Sequence, residues 1–271
     1  MTQLLSEHGG TGTGTVPSAD AGTGAESAGR APVVVLENLG KSFGSGAPVL
    51  EDINATIRQG EFVALLGASG CGKSTLLNII SGLDGPSSGA LEVPADGAAF
   101  MFQDASLFPW LTARRNVELA LKLRGVGRAE RKARAVELLE LVNLGHSMDK
   151  RPHELSGGMR QRVALARSLA QDRPLLLMDE PFAALDAITR DLLHNELERV
   201  WKETGRTIIF VTHNVREAVR LGQRVLLLSS RPGRVVAEWN VSEEHRTDAG
   251  AAGALTADIT TRLRQEIRKH A

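Results

Sequence analysis

The 271-residue chain has a single cysteine, Cys71, so an internal disulfide is excluded and a reducing compartment is expected. It also lacks a charge excess: Lys plus Arg and Asp plus Glu each number 32, for a formal net charge of zero. A general nucleic-acid binder carries a basic surplus, so no nucleic-acid partner is expected. No apolar run approaches the roughly 18–20 residues that a membrane-spanning helix needs. The opening "MTQLLSEHGG" has neither the basic end nor the apolar middle of a secretory signal. These absences lead us to expect a soluble, cytoplasmic protein that reaches a membrane only through a partner. Residues 1–30 are rich in Gly, Thr, Ser and Ala and poor in large apolar side chains, which predicts a disordered extension.

What is present is an alternation of strands and helices. "PVVVLENL", "VLEDINATI" and "EFVALLG" read as strands, as do "GALEV" and "AAFMFQ" further on. "LLLM", "TIIFVT" and "RVLLLSS" are continuous apolar runs, the pattern of parallel strands buried on both faces. Helical spacing places Leu76, Leu77, Ile80 and Leu83 on one face, and residues 112–144 read as helical. "GGMRQRVALARSLA" reads as a helix with a basic, solvent-facing side. "ITRDLLHNELERVWKET" and "NVREAVRL" complete an α/β pattern with a parallel core sheet. Near the end, Leu255, Ile259, Leu263 and Ile267 stand four apart, which predicts a short amphipathic helix packed on its own domain.

The stretch "GASGCGKST", residues 67–75, fits the phosphate-loop pattern and sits between an apolar strand and a helix. Its Gly67, Ser69, Gly70, Cys71, Gly72, Lys73, Ser74 and Thr75 are candidate nucleotide-binding residues. Glycines let successive N–H groups curl toward a β-phosphate, and the helix N-terminus adds positive potential. Lys73, expected as an exposed charge, would reach the β- and γ-oxygens, and Ser74 would bind Mg²⁺. The Cys71 thiol is expected near the bound phosphate. "LLLMDEP" ends a strand in two acids. Asp179 is placed to hold Mg²⁺ and Glu180 to activate the attacking water. Gly67, Asp179 and His213 all fall just past strand ends, where open α/β sheets bind ligands.

A second segment, "LSGGMRQR", also has the look of a phosphate cradle. Ser156 can cap a helix, and Gly157 and Gly158 allow close approach. In order, residues 67–75, "LSGGMRQR", "LLLMDEP" and "TH" at 212–213 resemble the nucleotide-binding subunit of an ABC transporter, over residues 32 to about 240. The resemblance implies a P-loop ATPase domain with a parallel core sheet, an antiparallel β-lobe and a helical lobe over about 104–172. That domain spans 31–240, followed by a linker and helix over 241–271. It implies ATP and Mg²⁺ as cofactors and a head-to-tail dimer of two copies. Each ATP would lie between one copy's phosphate loop and the Ser156, Gly157 and Gly158 segment of the other. It further implies that Phe43 stacks on adenine and that Gln103 touches Mg²⁺ and the attacking water. Asp186 would link the two sites, and His213 would contact the γ-phosphate. The fifth position of the signature segment, often Gln in the family, is Met159 here.

"FQDASLFPWLTARRNVELAL" resembles the importer group for nitrate, sulfonates and taurine. The resemblance implies integral-membrane permease partners at the cytoplasmic face of the membrane, and indirectly a solute-binding protein. The permease's coupling helix would dock on Phe108 and Trp110; a core position for both aromatics is the alternative. The short stretch between Gly89 and Gln103 predicts a trimmed β-lobe. No long coiled-coil insertion or second cassette is present, which sets aside chromosome-structure ATPases and fused translation factors. An ATP-driven regulatory switch without transport stays open as the alternative.

Overall fold

A computed structural model of the chain describes residues 29–183 and 185–269. The extension expected over residues 1–30 lies outside these, apart from Gly29 and Arg30. Strands β1 (Pro32–Lys41), β2 (Leu50–Arg58) and β4 (Ser88–Glu92) form an antiparallel sheet in the order β2-β1-β4. A second, six-stranded sheet takes β3 (Phe62–Gly67), β5 (Ala98–Met101), β6 (Leu175–Asp179), β7 (Thr207–Val211), β8 (Arg224–Leu228) and β9 (Val235–Asn240). Its order is β5-β6-β7-β3-β8-β9, parallel except for β9, which runs antiparallel to β8.

Burial on both faces explains the continuous apolar runs. Along β3, Phe62, Ala64 and Leu66 pack into a core shared with the helices, while Val63 and Leu65 pack under the antiparallel sheet. Each position of such a strand faces one core or the other, so none can be polar without a partner. Helix α1 (Lys73–Ile80) follows β3 and packs between the two sheets, its Leu76, Leu77, Ile79 and Ile80 lying in the second core. It ends before Leu83, which is therefore exposed rather than on the buried face.

Between β5 and β6 lie α2 (Ala113–Leu123), α3 (Arg128–Leu141) and α4 (Gly157–Leu169). The expected helical run over 112–144 breaks at Gly125, whose φ of 82° suits only a residue without a Cβ. Helix α4 is more buried than its basic residues suggest. Arg160 is exposed, but Arg167 turns inward and donates to the carbonyls of Ala105 and Ser106 at 2.8 and 2.7 Å. Gln161 donates to the Gln103 carbonyl at 2.7 Å, so α4 braces the loop that follows β5.

Helices α5 (Ala187–Thr204) and α6 (Val215–Leu221) return the chain to the sheet, and α7 (Glu243–Thr247) and α8 (Ala249–Arg268) end it. The side chains of Ser156, Asp186 and Asn214 accept from first-turn amides of α4, α5 and α6. Helix α8 starts six residues before Leu255 and buries Ile259 against the helical core, with Leu255 and Leu263 partly covered. Ile267 is exposed, and Glu266 is buried in its place, with Lys269 2.7 Å away.

Candidate functional site

The sheet order β6-β7-β3 brings three strand ends to one edge. Leu65 of β3 and Asp179 of β6 both pair with Val211 of β7. Residues just past those ends therefore come together: the phosphate loop and Glu180 line one cleft, and His213 reaches it only through its contact with Glu180.

The loop leaves β3 and enters α1 through Gly72, whose φ is 102°. A Cβ there would stand 2.6 Å from Leu50 Cδ2, so both the turn and the packing require glycine. The first amides of α1 have no acceptor within the helix. Lys73 is buried rather than exposed. Its ammonium folds back and donates to the carbonyls of Gly67 and Ala68, both at 2.9 Å. Those carbonyls hold the cation at the loop's centre, where it can exchange them for phosphate oxygens. The Cys71 thiol does not line the cleft but lies behind the loop, 3.9 Å from the Lys73 ammonium. It is 1% exposed, lies in the core beneath the loop and crowds Gly67, where a Cβ would approach Sγ to 2.7 Å. Burial pushes the thiol's pKa up, against the pull of Lys73.

The cleft is lined by Phe43 and Val49 at one end, by Ser69, Gly70, Gly72, Lys73, Ser74 and Thr75 along its floor, and by Glu180 and Arg231. Asp179 lies beside Ser74. Burial pushes its carboxyl above the usual range, the Ser74 hydroxyl and Lys73 pull it down, and Glu180 adds to the rise. A half-buried carboxylate beside a hydroxyl and a second acid suits a hard divalent cation, which would supply the missing counter-charge. Among the described residues no group of three or more His, Cys, Asp or Glu converges as a metal cage. Mg²⁺ takes few protein ligands and completes its shell with water and phosphate, so Ser74 and Asp179 fit it.

Glu180 has a φ of 44°, rare for a residue with a side chain, and its amide donates to the Val211 carbonyl at 3.1 Å. That twist turns the carboxylate out of the strand and toward His213, whose Nδ1 lies 3.3 Å from Glu180 Oε2. Phe43 is 55% exposed at the cleft mouth, and the Lys41 ammonium stands 4.8 Å from its ring centroid. That exposure keeps the ring out of the core. Arg231 was missed by the sequence reading. The turn that carries it docks beside the loop, where Gly233 donates to the Val49 carbonyl at 2.8 Å and a Cβ on Gly233 would strike the Cys71 carbonyl. "RPGR" after a strand signals a turn but does not reveal what the turn touches.

Gln103, Ser156, Gly157, Gly158 and Asp186 do not line this cleft. Gln103 is exposed two residues beyond β5, next to the strand that carries Asp179. Ser156 caps α4 by accepting from the Met159 amide at 3.2 Å and is exposed. The two glycines after it differ. A Cβ on Gly158 would overlap Thr189 Cγ2, so that glycine lets α4 pack on α5. Gly157 has open space around it, with only the Arg160 guanidinium at 4.0 Å. Asp186 caps α5 and accepts from the Thr189 amide and hydroxyl at 3.0 and 2.7 Å. Ser156 and Asp186 thus share a face, joined through Thr189. Phe108 and Trp110 are exposed as a pair, their ring centroids 5.5 Å apart. Buried Asn116 staples their turn, accepting from the Phe108 amide at 2.9 Å and donating to the carbonyls of Phe108, Leu111 and Thr112.

Residues 50–183 match the ABC transporter family. The chain is 48% identical over 251 residues to the bicarbonate transport ATP-binding protein CmpC of a Synechocystis species. That alignment covers 88% of this chain and 35% of the relative, so the chain spans about a third of CmpC's length. It is 45% identical over 227 residues to the taurine import ATP-binding protein TauB of Mesorhizobium japonicum, covering 81% of this chain and 88% of that one. The dimeric, post-hydrolysis structure of the ATP-binding cassette MJ0796 bound to ADP and Pi is 36% identical, with a TM-score of 0.68 over 78% of this chain and 99% of that one.

Proposed function

The chain belongs to the family of ABC transporter ATP-binding proteins, and on that premise we propose that it binds and hydrolyses ATP to drive an importer for a small oxyanionic solute. Adenine stacks on Phe43, a contact typically worth roughly 1–3 kcal/mol. The loop amides and Lys73 take the β- and γ-phosphates. Ser74 and Asp179 would hold Mg²⁺, which would neutralise negative charge on the phosphates. Glu180 accepts a proton from the attacking water, help of about 10²–10⁴-fold. His213 and Gln103 meet the γ-phosphate and the water from either side of Glu180.

The observation that carries this reading is the make-up of the cleft. It has the loop, the aromatic and the acid, yet nothing from residues 156–158. A second copy, docked head to tail, would bring its Ser156, Gly157 and Asp186 over the bound ATP. The dimeric state of MJ0796 supports that arrangement. A permease at the cytoplasmic face of the membrane would seat its coupling helix on Phe108 and Trp110. The relatives named for bicarbonate and taurine support a small anionic solute, in line with the nitrate, sulfonate and taurine group. Phosphate release from ATP by the purified protein tests the reading. Turnover that stops on chelation of Mg²⁺ is the expected result; failure to bind ATP at all overturns it.

A further inference from the structure

Glu180 and His213 form one side of a small pocket whose other walls are Phe182, Arg190, Thr212, Asn214 and Glu217. Its far wall, Arg190 and Glu217, has no part in the proposed reaction. Glu217, in the first turn of α6, is 6% exposed. Its carboxylate accepts from the Thr212 hydroxyl at 2.5 Å and from the Asn214 amide at 3.3 Å, the two residues that flank His213. On its other side stands Arg190 of α5, with Nε 3.4 Å from Glu217 Oε1. The same guanidinium donates through Nη2 to the Leu185 carbonyl at 2.8 Å, in the turn that ends at Asp186. His194, one helical turn beyond Arg190, closes the cluster edge-on against Phe182, with Nε2 4.0 Å from Glu217.

A buried carboxylate that loses its cation is costly, so Glu217 and Arg190 hold each other in place. Each also grips a loop. We propose that Arg190 and Glu217 are positioning residues: a strut that ties the loop bearing His213 to the turn bearing Asp186. The Asp186 turn shares its face with Ser156 through Thr189 and Gly158. The strut therefore joins the surface a second copy would cover to the γ-phosphate end of the chain's own cleft. This gives an ATPase dimer a physical route by which closure on one face sets His213 on the other. The inference rests on the ATPase reading above and adds to it a link between the two sites.

The test is a kinetic double-mutant cycle in the full chain with Arg190→Met, Glu217→Gln and both together. ATP affinity should stay within about twofold, because neither residue lines the nucleotide cleft. Turnover should fall by about 10- to 100-fold with KM little changed, as expected for a misplaced group in the transition state. The double variant should be no slower than the slower single one, since one strut can be broken only once. If Arg190→Met does not fold, Arg190→Lys replaces it in the cycle. Unchanged turnover, losses that multiply, or losses that merely track a lowered melting temperature would each overturn the strut. The ATPase reading is judged separately on the wild-type protein: if that neither binds nor hydrolyses ATP, both inferences fall.

Discussion

His213 Nδ1 lies 3.3 Å from Glu180 Oε2, although the two residues stand at the ends of different strands. The left-handed backbone of Glu180 makes the contact possible, and the register of β6 against β7 fixes its height at the sheet edge. In the proposed reaction this pair would stand at the γ-phosphate end of the cleft, with Glu180 as the base. Glu180→Gln keeps the shape but removes the base. ATP binding should persist and hold two copies together in light scattering, while turnover drops by about two orders of magnitude or more. A variant that neither associates nor turns over would give Glu180 a structural role.

Lys73 has a structural role of its own. Its ammonium satisfies two loop carbonyls before any phosphate arrives. Lys73→Ala should abolish ATP binding in titration calorimetry. It should also lower the stability of the nucleotide-free protein by about 1–3 kcal/mol, the usual consequence of leaving buried acceptors unpaired. Loss of binding with no change in melting temperature would mean that the loop is organised without the lysine.

Cys71 should be nearly inert. Its thiol is buried, and its pKa is raised, so little thiolate forms at neutral pH. Maleimide labelling of the native protein should be slow both with and without MgATP, and rapid after unfolding. Fast labelling that MgATP suppresses would put the thiol on the cleft side of the loop.

Trp110 is 66% exposed beside Phe108, on a turn whose backbone Asn116 holds from below. Trp110→Ala should therefore leave melting temperature and nucleotide affinity nearly unchanged and weaken co-purification with a membrane permease. Asn116→Ala should weaken both assembly and stability, because it leaves the turn's polar groups unpaired. A large stability loss in Trp110→Ala with assembly intact would return the aromatic to the core.

Much of the core sheet was legible because β3, β6, β7 and β8 are buried on both faces and must be apolar throughout. Strand β9 was not, since its edge position leaves most of "VVAEWN" half-covered and mixed in character. The end of α8 was misread for a geometric reason. A four-residue spacing advances about 40° beyond a full turn, so by the third step Ile267 has left the face set by Ile259. Glu266, seven residues from Ile259, returns to that face and is buried there. At the site, the loop, Asp179 and Glu180 announce themselves by motif. The inward fold of Lys73, the nearness of Arg231 and the Arg190–Glu217 strut depend on which loops the tertiary fold brings together, and no local pattern encodes them.

The central claim is that residues 156–158 serve the nucleotide of a second copy. Dimers purified through two tags, with Lys73→Ala in one subunit, Ser156→Arg in the other and Glu180→Gln in both, test it directly. Arg at 156 adds bulk and charge to an exposed cap without entering the core. Bound nucleotide per dimer is measured after rapid gel filtration. If the segments act across the dimer, one composite site carries both defects, the other carries none, and about one ATP is retained. Retention near zero in the mixed dimer, with about two ATP in the Glu180→Gln parent, would contradict that arrangement.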